Sequence, residues 1–254
     1  MTSRDSEMIT KTYESGHEVA EREAFEKVFE TSPIPIRDKL RNFGLYMNRR
    51  NLTKILLIND LYQRILRVHG SIFEFGVRWG QNLSLFTNLR GIYEPYNYNR
   101  KVVGFDTWEG FPSVQTEDGT SDIIREGSYR TTRNYDEHLE RVLAYHESES
   151  PVPHIRKFEL VKGDASQTIG PWLENHRETV IALAYFDFDL YEPTVKCLEA
   201  IKPRLAKGSI VVFDELNHPD FPGETRAAMD VFGLNNVKLE RSPYSGYQSF
   251  LVIG

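Results

Sequence analysis

From about residue 70 onward the chain alternates short apolar runs with stretches of helical period. The runs at 71–75, 101–105, 158–161, 180–186, 209–213, 237–239 and 247–252 have the length of strands. Between most of them, 82–90, 166–176, 193–205 and 225–232 carry apolar residues at the intervals of a helix with one buried face. Strands that alternate with helices in this way predict βαβ units, and so a mainly parallel sheet covered on both faces. The link RSPYSG between the last two runs is rich in turn formers, and a hairpin there sets the final strand antiparallel to its neighbour.

Two regions depart from that rhythm. Residues 1–32 are polar and charged, and within 20–30 Ala24, Phe25, Val28 and Phe29 recur at helical spacing, which reads as an arm or lid helix outside the core. Residues 39–68, with Leu40, Phe43, Leu45, Met47, Ile55, Leu56, Ile58, Leu61, Ile65 and Leu66, read as further helices with polar faces. The organisation expected is a helical arm or lid over 1–68 and an α/β domain over 69–254 that carries an insertion at 107–157. The insertion is full of turn formers and charges (Gly110, Pro112, Asp118, Gly119, Gly127, Pro151, Pro153), with one helix around 135–146. Long insertions of this kind are lids or disordered segments.

Composition narrows the class. The 254 residues, 40% hydrophobic and 27% charged, suit one α/β domain with additions. A net charge of −6 without a basic stretch gives no footprint for nucleic acid as a partner. The single cysteine, Cys197, cannot form an internal disulfide, and the N-terminal MTSRDSEMITK lacks the apolar core of a signal peptide. No apolar run approaches the roughly 20 residues of a membrane span. A soluble protein of a reducing cytoplasm, with no membrane partner, is expected.

In an open parallel sheet, ligands sit beyond the carboxyl ends of the strands, so those ends carry the chemistry. The first, EFGVRWG, runs from a strand through Gly76 and Gly80 into a helix. Such a turn lets backbone approach a ligand, or merely turns, and it lacks the G-x-G-x-x-G spacing of dinucleotide binders. The second, VVGFDTWEGFP, puts Asp106 at a strand tip, as a holder of ribose hydroxyls or as a turn cap. The third, LVKGDASQT, offers Asp164 to an adenine amino group or to a helix N-terminus. In the fourth, YFDFDLYEPT supplies Asp187 and Asp189, and the next strand ends in Asp214 and Glu215. Carboxylates gathered by adjacent strands need a cation or protons, and hard oxygen donors suit magnesium, or else the acids are separately solvated or paired. Asn217 and His218 follow in the same loop, His218 as a ligand or base, or simply as a solvated side chain.

Together these segments, with PWL after KGDASQTI and PGETRAAMDVF after the last acids, resemble the macrocin O-methyltransferase family, the TylF and MycF type of sugar methyltransferase. The match runs in order over residues 52–232. It implies a class I, Rossmann-like S-adenosylmethionine-dependent methyltransferase fold whose seven-stranded, mostly parallel sheet ends in an antiparallel strand. It further implies magnesium or another divalent cation, and methylation of a sugar hydroxyl in antibiotic biosynthesis. Carried over by position, Glu74, Gly76 and Gly80, with Val77 between them, surround the methionine part of the cofactor. Asp106 and Thr107 meet the ribose, Gly163, Asp164 and Ala165 the adenine, and Asp187, Asp214 and Glu215 the metal, with Asp187 touching the cofactor as well. The chain departs from the family in having Glu215 where a second consecutive aspartate is usual and Gln81 where a glycine usually follows Gly80.

Transfer of a methyl group from a sulfonium needs an oxygen nucleophile aligned with it, and a dication lowers the pKa of a sugar hydroxyl while fixing its position. The base is then Asp187, with Asp189 and His218 as alternatives. Tyr129, Arg130, Arg133, Tyr135 and His138 of the insertion are candidate contacts to the acceptor, and Trp108 and Phe111 are candidate walls for the cofactor. The acceptor is a nucleotide-linked sugar or a glycosylated natural product. Rival readings are a catechol or phenol methyltransferase, a nicotinamide-dependent reductase, and a non-catalytic scaffold on the same fold. The N-terminal helices are expected to make the protein a homo-oligomer.

Overall fold

The computed structural model describes residues 14–254; the first thirteen, and with them the segment read as lacking a leader's apolar core, lie outside the described residues. The chain begins with α1 (Gly16–Glu30), α2 (Ile36–Arg41), a 3₁₀ turn (Phe43–Tyr46) and α3 (Arg49–Arg64). The α/β alternation follows as β1 (Ser71–Phe75), α4 (Gln81–Tyr93), β2 (Val102–Asp106), α5 (Tyr135–Ser148), β3 (Phe158–Lys162) and α6 (Ala165–Asn175). It continues as β4 (Ile181–Phe186), α7 (Tyr191–Ile201), β5 (Leu205–Phe213), α8 (Gly223–Phe232), β6 (Leu239–Arg241) and β7 (Ser249–Val252). The seven strands lie in the order β3-β2-β1-β4-β5-β7-β6. The first five are parallel, and β7 runs antiparallel to both β5 and β6. Strand order reverses between β1 and β4, which fixes where a ligand crevice opens.

Both faces of the sheet are covered. On one, Ile72, Val102, Leu183 and Val212 pack with Leu57, Ile58 and Leu61 of α3, Leu83 and Phe86 of α4, and Leu139 and Leu143 of α5. On the other, Phe73, Phe105, Phe186 and Phe213 pack with Ile169 and Trp172 of α6, Cys197 and Leu198 of α7, and Ala227 of α8. Every residue of β1 and of β4 is buried, which is why those strands read as continuous apolar runs rather than alternating ones. The N-terminal helices divide by the same criterion. Four of the residues of α3 are buried, so it belongs to the core, whereas α1 and α2 bury none. The capping box of Ser15 and Glu18 starts α1, yet Phe25, Val28 and Phe29 stay exposed. Among the described residues no helix is long and apolar enough to cross a membrane.

The segment 107–157 is an ordered part of the molecule. Ile123 and Ile124 pack with Leu190 and Phe221, and Asp118, almost fully buried, accepts from the backbone of Gln115 and of Tyr191 at the head of α7. Its helix α5 is tied to the sheet through Glu147, which is buried between Arg90 of α4 (2.8 Å) and Lys157 just before β3 (2.5 Å). All three groups are fully or nearly withdrawn from water, and although backbone carbonyls also accept from Lys157 and Arg90, the acid supplies the charge that neutralises both cations. Glu147→Ala is therefore expected to cost about 3–5 kcal/mol in urea unfolding, the range for stripping one partner from a buried ion pair; a loss below about 1 kcal/mol would show that Arg90 and Lys157 find water instead.

Candidate active site

The turn after β1 is built by close approach. Gly76 has φ +87°, and a Cβ on it would stand 1.9 Å from the carbonyl oxygen of Asp187, so only glycine lets the β1 and β4 ends come together here. Asp106 at the tip of β2 locks the same turn: one oxygen accepts from the backbone N–H of Val77 and of Arg78, each at 2.7 Å, and the other from Trp108 at 2.5 Å. Trp108 in turn donates its indole N–H to the carbonyl of Arg78. The turn-cap reading of Asp106 is thus realised, while its outer face remains on the cavity wall. Asp164 likewise caps α6, accepting from Ser166 at 2.9 Å.

A cavity of about 240 Å³ opens above these strand ends. Of the residues expected to bind cofactor, Gly76, Asp106, Thr107, Gly163, Asp164, Ala165 and Asp187 line it. Glu74, Val77 and Gly80 stand behind the wall: Glu74 is buried, Val77 contributes its amide to Asp106, and Gly80 precedes α4 against the Leu139 side chain. Phe111 and Tyr129 of the insertion reach the cavity, with the Arg78 guanidinium 4.7 Å from the Tyr129 ring centre. Arg130 and Arg133 line other clefts, Tyr135 donates to the carbonyl of Trp79, and His138 lies against Tyr135. Trp108 is packed in the core beside the turn.

All four acids of the β4 and β5 ends, Asp187, Asp189, Asp214 and Glu215, line this cavity. They share a cavity without sharing a point: among the described residues no three His, Cys, Asp or Glu side chains are grouped so as to hold a metal ion. The reason lies in what the neighbouring elements bring to Asp214. Lys54 of α3 donates to its Oδ1 at 2.7 Å, the Tyr185 hydroxyl donates to the same oxygen, and Gln248 donates to Oδ2 at 3.0 Å. The Lys54 ammonium and these bonds hold Asp214 below the usual carboxylate range even though burial works in the opposite direction. The other acids lack such a partner. Burial, and then the charge of Asp214, push Asp187 well up. Burial pushes Asp189 to about 8, and burial together with Asp189 pushes Glu215 to about 11. Glu215 Oε2 is buried with no hydrogen-bond partner, as is Glu74 Oε2.

Glu224, fully buried at the start of α8, ties the two acidic loops together. Its Oε1 accepts from Phe188 N–H at 3.0 Å and its Oε2 from Glu215 N–H at 3.4 Å. His218 lies outside the cavity lining; its Nδ1 accepts from the amide of Asp220, and its ring packs near Phe221 and Tyr247. The pattern reading missed Lys54, Tyr185, Gln248 and Glu224. Only Lys54 left a signal, since it falls one turn before Leu57 and Ile58 and two before Leu61, on the stripe that α3 buries.

Known methyltransferases resemble this chain. A family model described as a methyltransferase domain matches residues 73–216. A crystal structure of the calicheamicin methyltransferase CalS11 is 40% identical, covering 100% of this chain and 99% of that one, at a TM-score of 0.93. The apo form of that protein, described as a TDP-rhamnose 3'-O-methyltransferase of calicheamicin biosynthesis, is 39% identical over 96% of this chain and 97% of that one, at 0.84. The O-methyltransferase NovP, 18% identical over 79% of each chain with a TM-score of 0.59, shares the fold. No curated protein matches the chain in sequence.

The acids raised above their ordinary values bind more protons in the folded than in the unfolded chain, so their contribution to stability falls as pH rises from the ordinary carboxyl range toward the values about 8 and about 11 given for Asp189 and Glu215. Without added divalent metal, the melting temperature of Glu215→Gln relative to the parent is expected to rise by about 2–4 °C between pH 5 and pH 8, as calorimetric scans would measure. A difference that stays flat or falls over that interval would show that Glu215 is not held protonated by its neighbours.

Proposed function

The chain belongs to the methyltransferase-domain family and is an S-adenosylmethionine-dependent O-methyltransferase, and on that premise we propose that its acceptor is a sugar hydroxyl in the assembly of a natural product. The observation that carries this reading is the continuity of one cavity from the Gly76, Asp106 and Asp164 wall, suited to the donor, to the acids of β4 and β5, suited to the acceptor. The relative that covers the whole chain is described as a sugar methyltransferase, which supports the same acceptor class.

The donor fits the residues present. Glu74 Oε2, buried and unpartnered behind the Gly76 turn, would be an acceptor for the ammonium of the methionine part. Asp106 and Thr107, which line the cavity, would meet the ribose, and Asp164 and Ala165 the adenine. The donor set also fits a divalent cation in charge and in chemistry, with hard oxygens in excess of the cations the protein supplies and one of them, Glu215 Oε2, left unpaired. Asp187 and Glu215 would hold the ion, with water, because Asp214 is engaged by Lys54; one or two carboxylates with several waters is the usual mode for magnesium. Such a cation would supply Lewis-acid polarisation of the acceptor oxygen.

The chain's own groups do the rest. A bound donor would supply the methyl group as its carbon–sulfur bond breaks, and the Asp187 carboxylate, which lines the cavity, would take the hydroxyl proton. Tyr129 and Tyr185 do not compete for that proton as bases, since burial keeps both phenols neutral well above pH 7. Phe111 and Tyr129 line the cavity and would help keep water from the sulfonium of a bound donor. We also propose self-association through the apolar positions that α1 and α2 leave exposed, among them Phe25, Val28, Ile36 and Leu40.

Asp187→Asn is expected to lower kcat by about 10²-fold or more, the usual range for removing a general base, while S-adenosylhomocysteine binding measured by calorimetry changes less than about threefold. Turnover near that of the parent would contradict the role given to Asp187. A panel of deoxysugar and catechol acceptors assayed with labelled donor, with and without a chelator, separates the acceptor classes: the sugars are expected to be methylated, and loss of that activity with the chelator is expected from the carboxylate excess.

A further inference from the structure

Among the described residues that line the cavity above the strand ends are six acids, Asp106, Asp164, Asp187, Asp189, Asp214 and Glu215, and one cation, Arg78. The turn after β1 sets the place of that cation. The Arg78 backbone is left-handed, with φ +48°, a conformation that residues other than glycine rarely adopt. It is held from both sides: Asp106 accepts from its N–H at 2.7 Å, and the Trp108 indole donates to its carbonyl at 3.1 Å. The side chain runs into the cavity, where the guanidinium carbon lies 4.7 Å from the ring centre of Tyr129. Stacking engages the flat face of a guanidinium, whereas its hydrogen bonds leave from the edge, so one group can pack on a ring and bind an anion together.

The donor brings one anion, the carboxylate of its methionine part. A glycine turn before a helix can receive such a group on its backbone amides. Here those amides are engaged within the protein. Gly76 donates to the carbonyl of Phe105 at 3.0 Å, Val77 and Arg78 donate to Asp106 at 2.7 Å each, and Gly80 donates to the carbonyl of Val77 at 2.8 Å. Gln81 and Asn82, the first residues of α4, do not line the cavity. A carboxylate that enters among six acids is repelled by every ionised one, and Arg78 is the lining side chain whose charge offsets that repulsion.

We propose that Arg78 binds the carboxylate of the donor's methionine part with the edge of its guanidinium while the face rests on Tyr129. The assignment rests on the methyltransferase reading and deepens it. The two charges of the donor's amino-acid end are then met by two side chains that flank Gly76 in sequence, Glu74 for the ammonium and Arg78 for the carboxylate, in place of the amides of the turn. Because Tyr129 belongs to the insertion, the same contact joins the 107–157 segment to the donor.

The test titrates the full chain calorimetrically with two probes, S-adenosylhomocysteine and its decarboxylated form, which keeps the ammonium and lacks the carboxylate. The parent is expected to bind S-adenosylhomocysteine at least about tenfold more tightly than the decarboxylated probe, as befits a charge-assisted bond. Arg78→Met is expected to bind the two within about twofold of each other. Arg78→Gln, which keeps a polar side chain on the turn, is held to the same outcome and carries the test should Arg78→Met not fold. A parent that does not distinguish the probes, or a preference that survives undiminished in the folded variant, would overturn the assignment and leave the methyltransferase reading standing. A parent that binds neither probe would overturn that reading, and the assignment with it.

Discussion

Adjacent parallel strands that both end in acids bring like charges together, and the surroundings of β4 and β5 are organised around that repulsion. Two devices contain it. Lys54 and Gln248 hold Asp214 from outside the βαβ core, and Glu224 grips the backbone of both acidic loops. What is left over, on Asp187, Asp189 and Glu215, is eased in the protein alone by the raised affinity of each for a proton, which burial and the neighbouring acids cause. In the proposed reaction the same surplus is the resource: it creates both a basic oxygen for the acceptor proton and an unmet demand for a cation.

The approach of Gly76 to Asp187 makes this geometry possible. With a side chain at Gly76 the ends of β1 and β4 would part, and the donor wall and the acid cluster would no longer face one cavity. Asp106 reinforces the turn by collecting three backbone amides, so a residue read as a ligand for ribose also secures the loop on which the site is built.

Strands and helices of the α/β core were legible because β1 and β4 are buried throughout and the helices bury one stripe each; β1 spans the same five residues, 71–75, in both readings. Discrepancies fall where a neighbouring strand or a single proline overrides the apolar periodicity. Pairing with β7 draws β6 to Leu239–Arg241, two residues beyond the apolar run at 237–239, and Pro203 within the 3₁₀ turn Lys202–Arg204 ends α7 earlier than its periodicity implied. The four strand-end acids were legible as residues, since each follows an apolar run. Their partners were not, because Lys54 and Gln248 lie 160 and 34 residues from Asp214 and nothing local marks either as facing it. For the same reason the expected three-carboxylate grouping gave way to two acids facing an open space and a third engaged by a lysine.

The central claim is that the surplus of acid at these strand ends is kept in check by protons that a divalent cation would displace. Calorimetric titration of magnesium into the protein saturated with S-adenosylhomocysteine, repeated at one pH in buffers of different ionisation enthalpy, measures that exchange directly. Saturable binding with release of about one proton is expected. Binding without proton release, or no binding, would contradict it.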